Sequence, residues 1–131
     1  MRILGKPVPK KPIKVKIVGE ADEAYSELKR VVKEEIAKGI TSSENQTLLR
    51  GIENAIKILK ENIHIGRQWE KDQIPKKYIE KYDVRNLWRI ELPLRWRLIY
   101  TMRSSEIEII NLILDFYNHK EYDKTFGYKK K

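Results

Sequence analysis

The stretch from Asn86 to His119, NLWRIELPLRWRLIYTMRSSEIEIINLILDFYNH, limits the possible folds more than any other part of the chain. It is rich in Ile, Leu, Trp and Tyr, and turn signals interrupt it at Pro93 and at Arg103-Ser104-Ser105-Glu106. Those features predict three consecutive strands, at residues 87–92, 94–103 and 106–116. Side chains alternate between the faces of a strand. Trp88, Ile90 and Leu92 therefore share one face with Leu94, Trp96, Leu98, Tyr100 and Met102. The other face carries Arg89, Glu91, Arg95, Arg97 and Thr101. A short loop at Pro93–Arg95 brings like faces together, with Trp96 opposite Leu92 and Arg97 opposite Glu91. The third strand is apolar on both faces, as expected of an interior strand.

An apolar sheet face thus backs a face bearing arginines on rigid strands. Guanidinium is a planar fork of donors that suits a phosphate. The same pattern also fits a solvated face in which Arg97 is simply paired with Glu91. Both readings stand at this point.

Composition narrows the partners. With 131 residues and 40% hydrophobic content, including three Trp and seven Tyr, one domain with a substantial core is expected. The net charge of +9 favours a polyanionic partner, RNA or DNA. No apolar run approaches a membrane span, which needs about 20 residues. The start, MRILGKPVPKKPIKVKIV, lacks an apolar signal core. The chain has no Cys, which fits a reducing cytoplasm. Two separated His without Cys make a metal site unexpected, and no glycine-rich phosphate loop is present, so no cofactor is expected either.

Taken in order, residues 1–12 read as a flexible basic arm, because prolines recur among lysines. Residues 13–131 read as one domain. The run IKVKIVG at 13–19 alternates as a strand with one buried face. A helix follows, with Asp22 as the expected N-cap, an apolar stripe at Ala24, Leu28, Val31, Val32 and Ile36, and a stop at Gly39. Thr41 with Glu44 supplies capping-box chemistry for a second helix, striped by Leu48, Leu49, Ile52, Ala55, Ile56 and Leu59. The short connection predicts a two-helix hairpin lying on the apolar sheet face. His64, just beyond it, reads as a loop or cap residue. Residues 67–85 form a link in which Pro75 opens a short helix. There Lys76, Lys77 and Lys81 interleave with Tyr78 and Tyr82, a pattern suited to nucleic acid. The competing reading has Trp69, Tyr78, Ile79 and Tyr82 plugging the sheet rim. The fold class is α+β, in the order β-α-α-β-β-β, with an antiparallel sheet covered on one face by a helical hairpin.

That order, with RWRLIY at 95–100 and DFYNHKEY at 115–122, resembles the RelE/ParE superfamily of toxins from toxin–antitoxin modules. The resemblance implies a cytoplasmic mRNA endoribonuclease acting on the ribosome without a metal. In such enzymes the substrate 2′-OH attacks the adjacent phosphate. It implies catalytic roles for Arg97, which matches the strand arginine, and for His119 and Tyr122 in the terminal segment. Lys76, Lys77, Lys81, Arg89, Arg95, Lys120 and Tyr128 are the residues expected to contact nucleic acid. A cognate antitoxin forming a hetero-oligomer with the toxin is the implied partner, beside the ribosome and mRNA. Two alternatives remain: a ParE-like poison of DNA gyrase, and a non-catalytic basic RNA- or DNA-binding module.

Overall fold

A computed structural model describes residues 11–127. Tyr128 and nearly all of the basic arm lie outside that range, so those expectations are not addressed by it. Lys11 and Pro12 are described, and they tie the chain to one edge of the sheet. Lys11 Nζ donates to the Ser105 carbonyl at 2.7 Å, and the Pro12 carbonyl accepts from Ile109 N.

Strand β1 (Ile13–Ile17) leads into helix α1 (Gly19–Ala37) and helix α2 (Glu44–Leu59). A two-residue strand β2 (Arg67–Gln68) and helix α3 (Lys76–Tyr82) follow. Then come β3 (Trp88–Glu91), β4 (Arg97–Ser104), β5 (Ile109–Tyr117) and helix α4 (His119–Thr125). The sheet order is β1-β5-β4-β3-β2.

The α+β class holds, but two parts of the expected architecture need correction. The sheet is mixed rather than antiparallel, because β1 runs parallel to β5. The α1–α2 hairpin serves as the long crossover that a parallel pair requires. Both sheet faces are also covered. One carries Ala21 of α1, Leu48, Ile52, Ala55 and Leu59 of α2, and Trp88, Leu92, Leu98, Tyr100 and Ile113 of the strands. The other carries Tyr78 and Tyr122 of α3 and α4, packed with Ile99, Leu112, Leu114 and Tyr117. β5 is an interior strand with Leu112, Ile113 and Leu114 all buried, as its two apolar faces require. Among the described residues no helix is long and apolar enough to cross a membrane.

Local chemistry accounts for the shifted boundaries. Helix α1 starts at Gly19, whose φ of +56° suits glycine, so Asp22 is a first-turn acid favoured by the helix dipole rather than the cap. Ser43, not Thr41, caps α2, its Oγ accepting from Gln46 N at 3.1 Å. In the expected α1 stripe Ala24 and Ile36 are exposed and Val32 is buried, and Ala21, outside that stripe, is buried as well. Ile79 of the predicted rim plug is also exposed, whereas Trp69, Tyr78 and Tyr82 pack into the second core cluster.

The β3–β4 connection matters most for the site. Glu91 pairs with Arg97, as alternation predicts. However, β4 begins at Arg97 and not at Leu94. Residues Pro93–Arg95 form a tight 3-10 turn in which Leu94 and Arg95 both take left-handed φ values, 62° and 63°. That conformation is rare for residues other than glycine. Pro93 packs on α2 at Gly51, where an added Cβ would lie 2.3 Å from the proline ring, so only glycine admits the turn so close.

Candidate functional site

The site is built where β3, β4, the 93–95 turn and α4 meet. Arg89 and Arg97 stand on adjacent strands with Glu91 between them. Their Nε atoms lie 3.1 and 3.0 Å from the two oxygens of the Glu91 carboxylate. Both Nε atoms are buried and poorly aligned for hydrogen bonding to it, so these contacts are ion pairs rather than bidentate forks. Two guanidiniums against one carboxylate leave surplus positive charge. The arginine side chains are only 13% and 15% exposed, whereas Glu91 is 59% exposed. The carboxylate is thus the removable member, and an incoming phosphate could replace it.

Beneath the arginines lies Tyr122. Both guanidiniums sit over its ring, at 5.4 Å for Arg89 and 4.8 Å for Arg97, and Arg89 donates to its hydroxyl. Trp69 and Phe126 press against the same ring. Tyr122 is therefore buried, so the catalytic role that the resemblance implies for it would have to be exercised from beneath the arginines and not from an exposed ring. It is the aromatic floor that fixes the two cations.

Helix α4 brings His119 to this floor. Asn118 Oδ1 accepts from Glu121 N at 2.8 Å and the Glu121 carboxylate accepts from Asn118 N at 3.3 Å, a complete capping box. With the helix started there, His119, Tyr122 and Asp123 fall on one side at i, i+3 and i+4. His119 Nε2 lies 3.2 Å from Arg95 Nη2 and 3.4 Å from Asp123 Oδ2. Arg97 Nη1 donates to the Arg95 carbonyl at 2.7 Å and so steadies the strained turn that aims Arg95.

These contacts at Nε2 compete. Arginine only donates, so its contact needs an unprotonated Nε2. Asp123 only accepts when ionised, so its contact needs a proton there. The ring thus has a neighbour for Nε2 with its proton and another for Nε2 without it, and Nδ1 has no hydrogen-bond partner among the described residues.

The remaining predicted contacts divide. Lys76 and Lys81 are exposed on α3, and Lys120 is exposed on α4. Lys77 is not a free cation, because its Nζ donates to the Tyr117 hydroxyl at 2.7 Å and lies over the Tyr78 and Tyr117 rings. It caps a network missed in the sequence. The Tyr78 and Tyr117 hydroxyls lie 2.8 and 3.0 Å from Asp115 Oδ2, and 2.8 Å from each other. Burial pushes the Asp115 carboxyl above the usual carboxylate range, against the hydrogen bond from Tyr78 and the charge of Lys77. Burial and the Asp115 charge likewise raise the Tyr78 phenol. Lys77 is raised too, since its bond to Tyr117 and the nearby acids outweigh its desolvation.

Sequence reasoning also missed Asp123 and α4 itself. The signals were present: Asn118 three residues before Glu121, and His119 four before Asp123. Comparison with protein-family models, with curated proteins and with solved structures gives no match.

Proposed function

We propose that this protein is a RelE-like toxin of a toxin–antitoxin module, an endoribonuclease that cuts mRNA on the ribosome in the cytoplasm. The observation that carries the reading is the convergence of Arg89, Arg95, Arg97 and His119 at one end of the sheet, on a rigid aromatic floor. A scissile phosphate replacing the Glu91 carboxylate would meet both strand arginines. His119 in its neutral form takes the proton of the attacking 2′-OH at Nε2. The 2′-oxygen bonds to phosphorus as the bond from phosphorus to the 5′-oxygen breaks, and the leaving 5′-oxygen takes its proton from solvent water. Arg97 and Arg89 stabilise the charge that builds on the phosphorane oxygens. Asp123 then supports the imidazolium. The net positive charge of the chain suits an acidic antitoxin, which would cover these cations in a hetero-oligomer.

The test is cleavage of mRNA on purified ribosomes, with the new ends mapped. Wild-type protein should cut, and Arg97→Ala and His119→Ala should not, with both variants folded by circular dichroism. Cutting at the wild-type rate by both variants would remove the site from the chemistry.

One observation favours a second reading. Glu91 already neutralises part of the arginine pair, as it would in a basic nucleic-acid-binding module that cuts nothing. Tight, steeply salt-dependent RNA binding without new ends would select that alternative.

A further inference from the structure

Next to the arginine pair lies a cleft of about 360 Å³ lined by Arg67, Gln68, Trp69, Glu70, Gln73 and Arg89. We propose that this cleft is a subsite for a single RNA base beside the scissile phosphate, adenine above the others, and that it sets the base preference of cutting. The inference rests on the phosphodiester reading of Arg97 and His119 and extends it to the neighbouring nucleoside.

Arg89 makes the connection. It reaches Glu91 and Tyr122 on the site side and also forms part of the cleft wall. A phosphate held by Arg89 and Arg97 therefore brings its own nucleoside to the cleft mouth. The volume lies within the range of small-ligand sites.

The lining fits a base better than a second phosphate. Gln68 and Gln73 are exposed, and their carboxamides make no hydrogen bond among the described residues. Each carboxamide offers an acceptor and two donors, and that pairing matches the N6 and N7 edge of adenine. Glu70 adds an acceptor for an amino group. Arg67, which has no acidic partner among the described residues, is available for the next phosphate. Trp69 forms a fixed wall, stacked on Phe126 at 4.5 Å, with its indole N–H buried and unpaired among the described residues.

The walls are also held in place before any ligand arrives. Gly66 has φ +93°, and a Cβ there would come within 2.1 Å of the Arg89 carbonyl oxygen. Only glycine lets β2 lie this close to β3. Trp69 N then donates to the Leu87 carbonyl at 2.9 Å, which seats the indole. Preformed walls lower the ordering cost of binding and sharpen discrimination.

The test uses the full chain and four short oligoribonucleotides that differ only in the base flanking the central phosphate. A 2′-deoxy sugar at the attacking position blocks cleavage, so binding is read by itself through fluorescence anisotropy. Wild-type protein should bind the adenine oligonucleotide about tenfold more tightly than the weakest of the four. The double variant Gln68→Ala, Gln73→Ala should bind all four alike, with mean affinity within about twofold because the phosphate contacts remain. Equal wild-type binding of all four, a preference unchanged in the variant, or no RNA binding at all would each overturn the subsite. Base discrimination by a protein that never cuts RNA would uphold the subsite and refute only the catalytic reading.

Discussion

The face of the sheet opposite the helical hairpin carries two polar clusters, built in contrasting ways. Around Asp115, two tyrosine hydroxyls and a lysine close on one another. Three oxygens form a triangle with edges of 2.8, 2.8 and 3.0 Å, while two tyrosines supply only two protons. Burial holds the Asp115 carboxyl above the usual carboxylate range, against the hydrogen bond from Tyr78 and the charge of Lys77. Around His119 nothing closes. Nε2 has two incompatible neighbours, Nδ1 has none among the described residues, and the arginines are held by an exposed carboxylate. The first cluster spends its hydrogen bonds on the fold. The second keeps capacity for a visitor, which is what a site for a reacting phosphate needs.

That contrast can be tested by breaking each cluster separately. The largest effect should come from the open one. His119→Ala should lower ribosome-dependent cleavage by about 10²- to 10⁴-fold, the usual contribution of a general acid–base. Its unfolding free energy should stay within about 0.5 kcal/mol of wild type by urea denaturation, since the side chain is partly exposed. A loss of stability matching the loss of cleavage would place His119 with the closed cluster.

Tyr122→Ala should sit between the two clusters, because it removes both the floor under the arginines and a core side chain. A stability loss of about 3–5 kcal/mol is expected in the same denaturation experiment. Tyr122→Phe keeps the ring and removes the hydroxyl that accepts from Arg89, so it should keep most of the cleavage rate. A Phe variant as inactive as the Ala variant would return the hydroxyl to the chemistry.

Asp115→Ala should cost about 2–3 kcal/mol, because two buried hydroxyls lose their acceptor, with cleavage per folded molecule unchanged. The closed cluster also carries a pH signature. Its folded carboxyl is raised above the unfolded value of about 3.9, so the folded state binds the proton more tightly. The stability that this proton brings is complete below the unfolded value and is lost as pH rises through the raised folded value. Denaturation midpoints of wild type and Asp115→Asn, followed from acid to neutral pH, should therefore move apart in the variant's favour as pH rises. Parallel curves would mean that Asp115 titrates normally.

The smallest effect is expected from Asp123→Asn. The amide keeps the size of the side chain but not its charge, so the imidazolium formed during the reaction loses one contact at 3.4 Å and the cleavage rate should fall only a few-fold, about threefold. An unchanged rate would show that Asp123 only decorates the helix.

Much of this is readable in the chain. Period-two alternation alone puts Arg97 opposite Glu91 and on the face of Arg89, because a strand's side-chain direction is fixed by its own backbone. The N-cap of α4 is legible too, once Asn118 and Glu121 are taken together. The Asp115 network is not legible, since its tyrosines lie 37 and 2 residues away and nothing local joins them. Nor is the burial of Tyr122, which depends on α4 folding back beneath Arg89, 33 residues earlier.

By itself, then, the sequence determined β1, helices α1 to α3 and the three consecutive strands β3 to β5, which strand faces are apolar, and the identity of the arginines and the histidine worth testing. Each of these follows from backbone periodicity and from chemistry within a few residues. Tertiary structure alone decided that β1 lies parallel beside β5, that Lys77 and Tyr122 are committed to internal contacts, and that Arg95 faces His119 across from Asp123. Those outcomes depend on which elements stack together, and that choice is made by burial summed over the whole chain.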